Sequence, residues 1–223
     1  MNKIIVIEGT DCSGKETQSN LLMNHLKKDN IEINKFSFPN YDSPTGKIVG
    51  GPYLGKEQFG KCFFEEGAIH VNPKVASLYY AADREYNLPV LLDLLKDGHL
   101  ILDRYVESNM AHQGGKIYDS KERIKLYNWL EELEYNLLNL PKPDMNIFLY
   151  MPYEYACELK RNRNELDQHE ISKEHLENAE KAYLELAHLH NYKIIDCVKN
   201  GVLRTKEDIH EEIYKYVKEK IKG

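Results

Sequence analysis

An apolar run, Ile4-Ile5-Val6-Ile7, breaks into Glu8-Gly9-Thr10-Asp11-Cys12-Ser13-Gly14-Lys15-Glu16-Thr17, and this break constrains the fold more than any other stretch of the 223 residues. A buried strand ending in a glycine-bearing loop that opens a helix points successive backbone N–H groups and the positive helix end into one concavity, with Lys15 beside the outer phosphates. Gly9, Thr10, Asp11, Cys12, Ser13, Gly14, Lys15, Glu16 and Thr17 are therefore the candidate residues for holding a nucleoside triphosphate. The bare G-x-x-x-x-G-K spacing arises by accident in about one chain of this length in ten to twenty. Its weight comes from context: a strand-like run precedes it, and Lys15 to Lys28 follows with Leu21, Leu22, His25 and Leu26 at helical spacing. Glu16 stands where Ser or Thr normally offers a hydroxyl to Mg²⁺. A carboxylate beside a triphosphate is repelled unless a cation lies between them, so either Glu16 reaches Mg²⁺ or its waters, or Thr17 substitutes.

The length suits one well-packed domain, expected to span residues 1–223. Apolar residues at 42% and charged residues at 30% have the balance of a soluble globular chain. No apolar run approaches the roughly 18 residues of a membrane helix, and nothing resembles a cleavable leader, which predicts a cytoplasmic protein with no membrane partner. A formal net charge of −6 without a dense Lys/Arg stripe argues against a nucleic-acid surface. Cys12, Cys62, Cys157 and Cys197 form no C-x-x-C pair and read as reduced thiols, not a zinc or disulfide framework. Cys12, inside the loop at a helix start, is either a reactive thiol or merely a small residue that fits. His188 and His190 fall on different sides of a helix and read as surface residues.

Along the chain, Ile31 to Phe38 alternates as a second strand, and Gly46 to Gly67 reads as short helices joined by turns. Asn72-Pro73 starts a long helix whose apolar pattern runs to Leu95, before Gly98. His99 to Asp103 is a third strand, Asp119 to Leu138 a helix, Met145 to Met151 a fourth strand, and Pro152 opens another helix. Arg163 to Glu170 has no periodicity. Ser172 restarts a helix, Tyr192 to Asp196 is a last strand, and Thr205 with Asp208 caps a terminal helix. Strands alternating with helices predict an α/β fold, a parallel sheet covered on both faces with ligands at the strand C-terminal ends.

Two further features fall at that edge. Asp103-Arg104 follows a buried strand directly, so that Asp103 is placed to anchor the Mg²⁺ shell and Arg104 to hold a phosphate, unless the pair simply caps the strand end. Tyr80 and Arg84, four apart on one helix face, can hold a nucleobase between a ring and a planar fork, although an aromatic at helical spacing is more often core. An N-K-x-D guanine signature is missing: Asn34-Lys35-Phe36-Ser37 lies inside a strand, which argues against a switch GTPase.

Gly9-Thr10-Asp11 with Gly14-Lys15, Phe38-Pro39, Ala81-Ala82-Asp83-Arg84, Gly98 to Tyr105 and Ser108 to Gly114 together resemble the thymidylate kinase family. The likeness is strong from Lys3 to Gly115, fair through Leu140 to Asp144 and weak beyond. It implies a P-loop fold with a five-stranded parallel sheet and a mobile lid at about 160–171. It further implies ATP-dependent, Mg²⁺-assisted phosphorylation of dTMP in dTTP synthesis, and a homodimer. By the same resemblance Asp11 accepts the 3′-hydroxyl, Tyr80 stacks on thymine, Arg84 bonds its edge, and Arg104 bridges the acceptor phosphate and the transferring group. Phe38 and Pro39 border that site, and Ser108, Asn109 and Gln113 match the segment that closes over base and sugar. The family often has Tyr at His112, and some members an Arg at Tyr41. Members supply a transition-state arginine either from the loop position that Cys12 holds here or from the lid, which leaves Arg161 and Arg163, because Asn164 to Ser172 has no Lys or Arg. A deoxynucleoside kinase, another nucleoside monophosphate kinase and a non-catalytic nucleotide-binding module are the competing expectations.

Overall fold

The computed structural model describes residues 1–160 and 172–222. Five parallel strands, β1 (Ile4–Gly9), β2 (Ile33–Ser37), β3 (His99–Asp103), β4 (Met145–Tyr150) and β5 (Lys193–Asp196), form a sheet in the order β2-β3-β1-β4-β5. The helices are α1 (Lys15–Lys28), α2 (Pro44–Ile48), α3 (Pro73–Asp97), α4 (Val106–Gly114), α5 (Ser120–Glu131), α6 (Tyr153–Lys160), α7 (Lys173–Leu189) and α8 (Lys206–Lys222). Every residue of β1 is buried, as expected of a central strand in a parallel sheet covered on both faces.

Alternation along the strands sorts the core into two layers. Ile4, Val6, Leu100, Leu102 and Phe148 pack with α4, α5 and α7. Ile5, Ile7, Ile101, Ile147 and Leu149 pack with Leu22 and Leu26 of α1 and Ile213 and Val217 of α8. Ile7 is in register with Asp103, so the loops that leave β1 and β3 emerge side by side. That edge is where ligands bind in open α/β sheets.

The caps expected at Asn72 and Thr205 are present, their side chains accepting from the N–H groups of Lys74 and Asp208, and Asp119 and Ser172 cap α5 and α7 in the same way, accepting from Glu122 and His175. The expected helix over Asp119 to Leu138 becomes α5 followed by a π-helical turn, Glu132–Leu137. Two elements carry no periodic signal. The polar residues Glu107, Asn109 and Gln113 of α4 are buried instead of facing water, which removes the amphipathic pattern. The hairpin β6 (Val198–Lys199) and β7 (Val202–Leu203) is too short to alternate. The lid expected at about 160–171 lies, apart from Lys160, outside the described residues, and so do Arg161 and Arg163.

Candidate active site

The phosphate loop is shaped by two left-handed residues, Cys12 at φ 58° and Gly14 at φ 80°. Gly9 lies where the chain is too crowded for a side chain: a Cβ there would stand 2.3 Å from Ser13 Oγ and 2.8 Å from the Leu149 carbonyl oxygen. Thr10 ties the loop to the adjacent strand end, its hydroxyl donating to the Met151 carbonyl at 2.7 Å and accepting the Met151 N–H at 2.9 Å. Gly9, Thr10 and Ser13 thus form the buried floor, while Asp11, Cys12, Gly14, Lys15, Glu16 and Thr17 line the cleft above. Lys15 Nζ donates to the carbonyls of Gly9 and Thr10 at 3.0 and 2.9 Å. Burial pushes its amine down to about 8, and the charge of Arg104 acts in the same direction.

At the end of β3, Asp103 is buried against the same cleft and Arg104 turns into the left-handed region at φ 66°. Its guanidinium faces Asp11 at 3.8 Å and reaches Ser108 Oγ at 3.4 Å and His112 Nε2 at 3.5 Å. Burial, then the charge of Arg104, holds the His112 imidazole well below the ordinary histidine range, so it is neutral. Glu8, read from sequence only as the point where the strand breaks, is fully buried at the end of β1. Its carboxylate accepts the N–H groups of Tyr105 and Ser108 at 2.8 and 3.1 Å, the Ser108 hydroxyl at 2.6 Å and the Tyr183 hydroxyl at 3.0 Å. It therefore caps the first turn of α4. Burial raises its pKa, and Arg104 with these donors pulls it back.

Beside the phosphate cleft lies a second cavity of about 240 Å³, and most of the predicted acceptor residues meet there. Asp11, Phe38, Pro39, Tyr80, Arg84, Arg104, Ser108 and Asn109, drawn from four segments of the chain, all contribute to its wall. Tyr80 is held edge-on against Tyr53, with ring centroids 5.7 Å apart. Arg84 is buried and clamped by two bonds to Glu134: Nε donates to Oε2 and Nη2 to Oε1 at 2.6 Å, while Nη1 donates to the Tyr105 carbonyl at 3.3 Å. Glu134 Oε1 also accepts from Asn109 Nδ2 at 3.2 Å.

Gln113 departs from the expectation. It is fully buried outside the cavity wall, and both polar atoms of its amide lack a hydrogen bond among the described residues. Glu134 and Lys56 are functional candidates that sequence reading missed. Lys56 lines the cavity beside Tyr41, its Nζ 5.4 Å from the centre of that ring, and so brings a cation to the place where some relatives of the resembled family have an arginine. No local signal marks either residue, because each acts across a long sequence separation.

The family model described as thymidylate kinase matches residues 7–213. The thymidylate kinase of Plasmodium falciparum is 32% identical over 96% of this chain and 89% of its own. A probable thymidylate kinase of Methanocaldococcus jannaschii is 30% identical over 97% of this chain and 96% of its own. Among solved structures, a thymidylate kinase from Candida albicans shares the fold with a TM-score of 0.75 at 24% identity, covering 98% of this chain and 92% of that one.

Proposed function

Because the chain belongs to the thymidylate kinase family, we infer that it is a phosphotransferase that moves the γ-phosphoryl group of ATP to dTMP, giving dTDP and ADP. One observation carries the reading of how it does so. The phosphate cleft and the acceptor cavity share a wall made of Asp11, Phe38, Pro39, Tyr41 and Arg104. Two nucleotides bound in them would meet phosphate to phosphate across Arg104, the arrangement that direct in-line transfer needs.

The roles follow from the chemistry. Backbone N–H groups of the loop and the α1 terminus receive the β-phosphate, and Lys15 exchanges its two carbonyl partners for phosphate oxygens. Arg104, held by Asp11 and Ser108, stabilises charge spread over the transferred group. Tyr80 stacks on the base and Arg84 donates to its edge. Asp103, Glu16 and the Thr17 hydroxyl are hard oxygen donors around the same cleft, the set that suits Mg²⁺, and that ion would neutralise and orient the triphosphate when bound. Since Cys12 holds the loop position from which some members of the resembled family supply an arginine, the transition-state arginine is assigned to Arg161 or Arg163.

We further propose one catalytic domain, acting in the cytoplasm as a homodimer and not on nucleic acid. No described helix is long and apolar enough to cross a membrane. Support for self-association comes from α3, where Val75, Leu78, Tyr86 and Val90 stand exposed on one apolar stripe. A Leu78→Glu variant sedimenting at the same mass as the parent would remove that support.

Activity is tested by ADP release with dTMP, dUMP, dGMP, thymidine or no acceptor. Turnover that requires dTMP is expected. Acceptor-independent hydrolysis, or a preference for thymidine, would overturn the assignment in favour of a nucleotide-binding module or a nucleoside kinase.

A further inference from the structure

His25 of α1 and His210 of α8 meet where these two helices pack. Nδ1 of the first lies 2.9 Å from Nε2 of the second, and with the carboxylate of Glu211 the ligand atoms all fall within 4.8 Å of one another. Among the described residues no other group of three or more His, Cys, Asp or Glu side chains is gathered so closely. His25 is half-buried, His210 buried and Glu211 exposed, so the carboxylate stands at the mouth and leaves a path to solvent. The place is remote from the phosphate cleft: His25 is ten residues past Lys15, about 15 Å along the helix axis. A hydrogen bond between the two rings accounts for only part of this arrangement. One hydrogen serves Nδ1 of His25 and Nε2 of His210, while the buried Nδ1 of His210 has no partner among the described residues. The His25 ring is nevertheless held in a fixed plane. Tyr214, four residues after His210 and so on the same face of α8, stacks on it with centroids 3.7 Å apart and planes 4° from parallel. The Tyr214 hydroxyl donates to Asp29, which also accepts from Lys218 Nζ at 2.5 Å. Outer contacts that fix a ring's orientation are what a metal-ligating imidazole requires.

We propose that His25, His210 and Glu211 form a binding site for a single Zn²⁺ ion that staples α8 to α1. Two imidazoles and one carboxylate match the borderline character of zinc and leave a fourth position for water, whereas Mg²⁺ and Ca²⁺ prefer oxygen ligands alone. Tetrahedral bonds of about 2.0–2.1 Å set ligand atoms about 3.3 Å apart, so the two rings need to separate by only about 0.4 Å for the ion to enter between them. The hydrogen they share then moves to the far nitrogen of its own ring, and both imidazoles stay neutral. The two helices already pack through Leu22 and Leu26 against Ile213 and Val217, and Gln18 Nε2 donates to the Lys206 carbonyl at 2.9 Å. The ion adds a third tie, at the end of α1 away from the phosphate loop, and so binds the folded chain in preference to the unfolded one.

Calorimetric titration of the metal-stripped full chain with zinc chloride, near pH 7.5 where imidazoles are mostly neutral, tests the site beside His25→Ala and Glu211→Gln. The parent is expected to take up a zinc ion that His25→Ala binds at least about tenfold more weakly, and zinc is expected to raise the Tm of the parent but not of that variant. Glu211 is exposed, so Glu211→Gln leaves the helix packing intact and answers the question should His25→Ala fail to fold. Its zinc affinity is expected to fall about tenfold. Zinc held as tightly by either variant as by the parent would come from other side chains, such as the exposed His188, and would overturn the three-ligand site. A parent that takes up no zinc at concentrations up to about 1 mM would overturn it outright.

Discussion

At the proposed phosphate end of the cleft the candidate groups come largely from one contiguous run, Asp11 to Thr17, whose backbone would do most of the binding, whereas the proposed base end is assembled from Tyr80, Arg84, Asn109 and Glu134 on separate elements. The difference extends to what each end does before a ligand arrives. Lys15 rests on two carbonyls that phosphate oxygens can replace, so its partners are provisional. Arg84 is paired with a buried carboxylate, Glu134. On the proposed function, the first end would exchange partners during chemistry. The second, held in place by its own contacts, would bind at a lower ordering cost.

This contrast can be broken experimentally. Lys15→Met should lower kcat by about 10²- to 10³-fold while the KM for dTMP changes little, because the charge it removes is needed where the transition state spreads negative charge. Arg161→Ala or Arg163→Ala should cost about 10²-fold in kcat, and near-normal turnover in both would return the lid assignment to zero. Tyr80→Ala should act in the opposite column, raising the KM for dTMP about tenfold with little change toward ATP, as expected for one lost base–aromatic stack. If Tyr80→Ala lowers kcat as strongly as Lys15→Met, the two ends are not functionally distinct.

The smallest effect is a dependence on pH that belongs to the phosphate end alone. The amine of Lys15 is held down to about 8 by burial and by Arg104. Below that pH it already carries its proton; above it, the triphosphate must draw a proton in to restore the charge, so ATP affinity weakens as pH rises. Calorimetry in two buffers of different ionisation heat should detect almost no proton uptake near pH 7 and close to one proton near pH 9, with affinity falling a few-fold between about pH 7.5 and 8.5. Equal uptake at both pH values would show that Lys15 is not the titrating group.

The same contrast explains what could be read from the amino acids. The sheet was legible because β1, β3 and β4 are short apolar runs bounded by turn residues, and the loop because strand, glycines and lysine are adjacent. Tyr80 and Arg84 were legible as a pair because four residues bring them to one helix face. Glu134 was not, because its meaning depends on a contact across fifty residues, and its own surroundings, Glu131-Glu132-Leu133-Glu134, look like a solvated helix face. Glu8 was hidden differently. A lone acid at the end of a buried strand gives no hint of the four donors that fold around it.

That buried acid has a consequence for the reaction coordinate. Glu8 is the last residue before the loop glycine Gly9, and it grips the opening turn of the helix that carries Ser108, Asn109 and His112. On the proposed function, donor and acceptor platforms would thus be pinned to one carboxylate, and the span a phosphoryl group must cross would be a dimension of the scaffold, set when the chain folds.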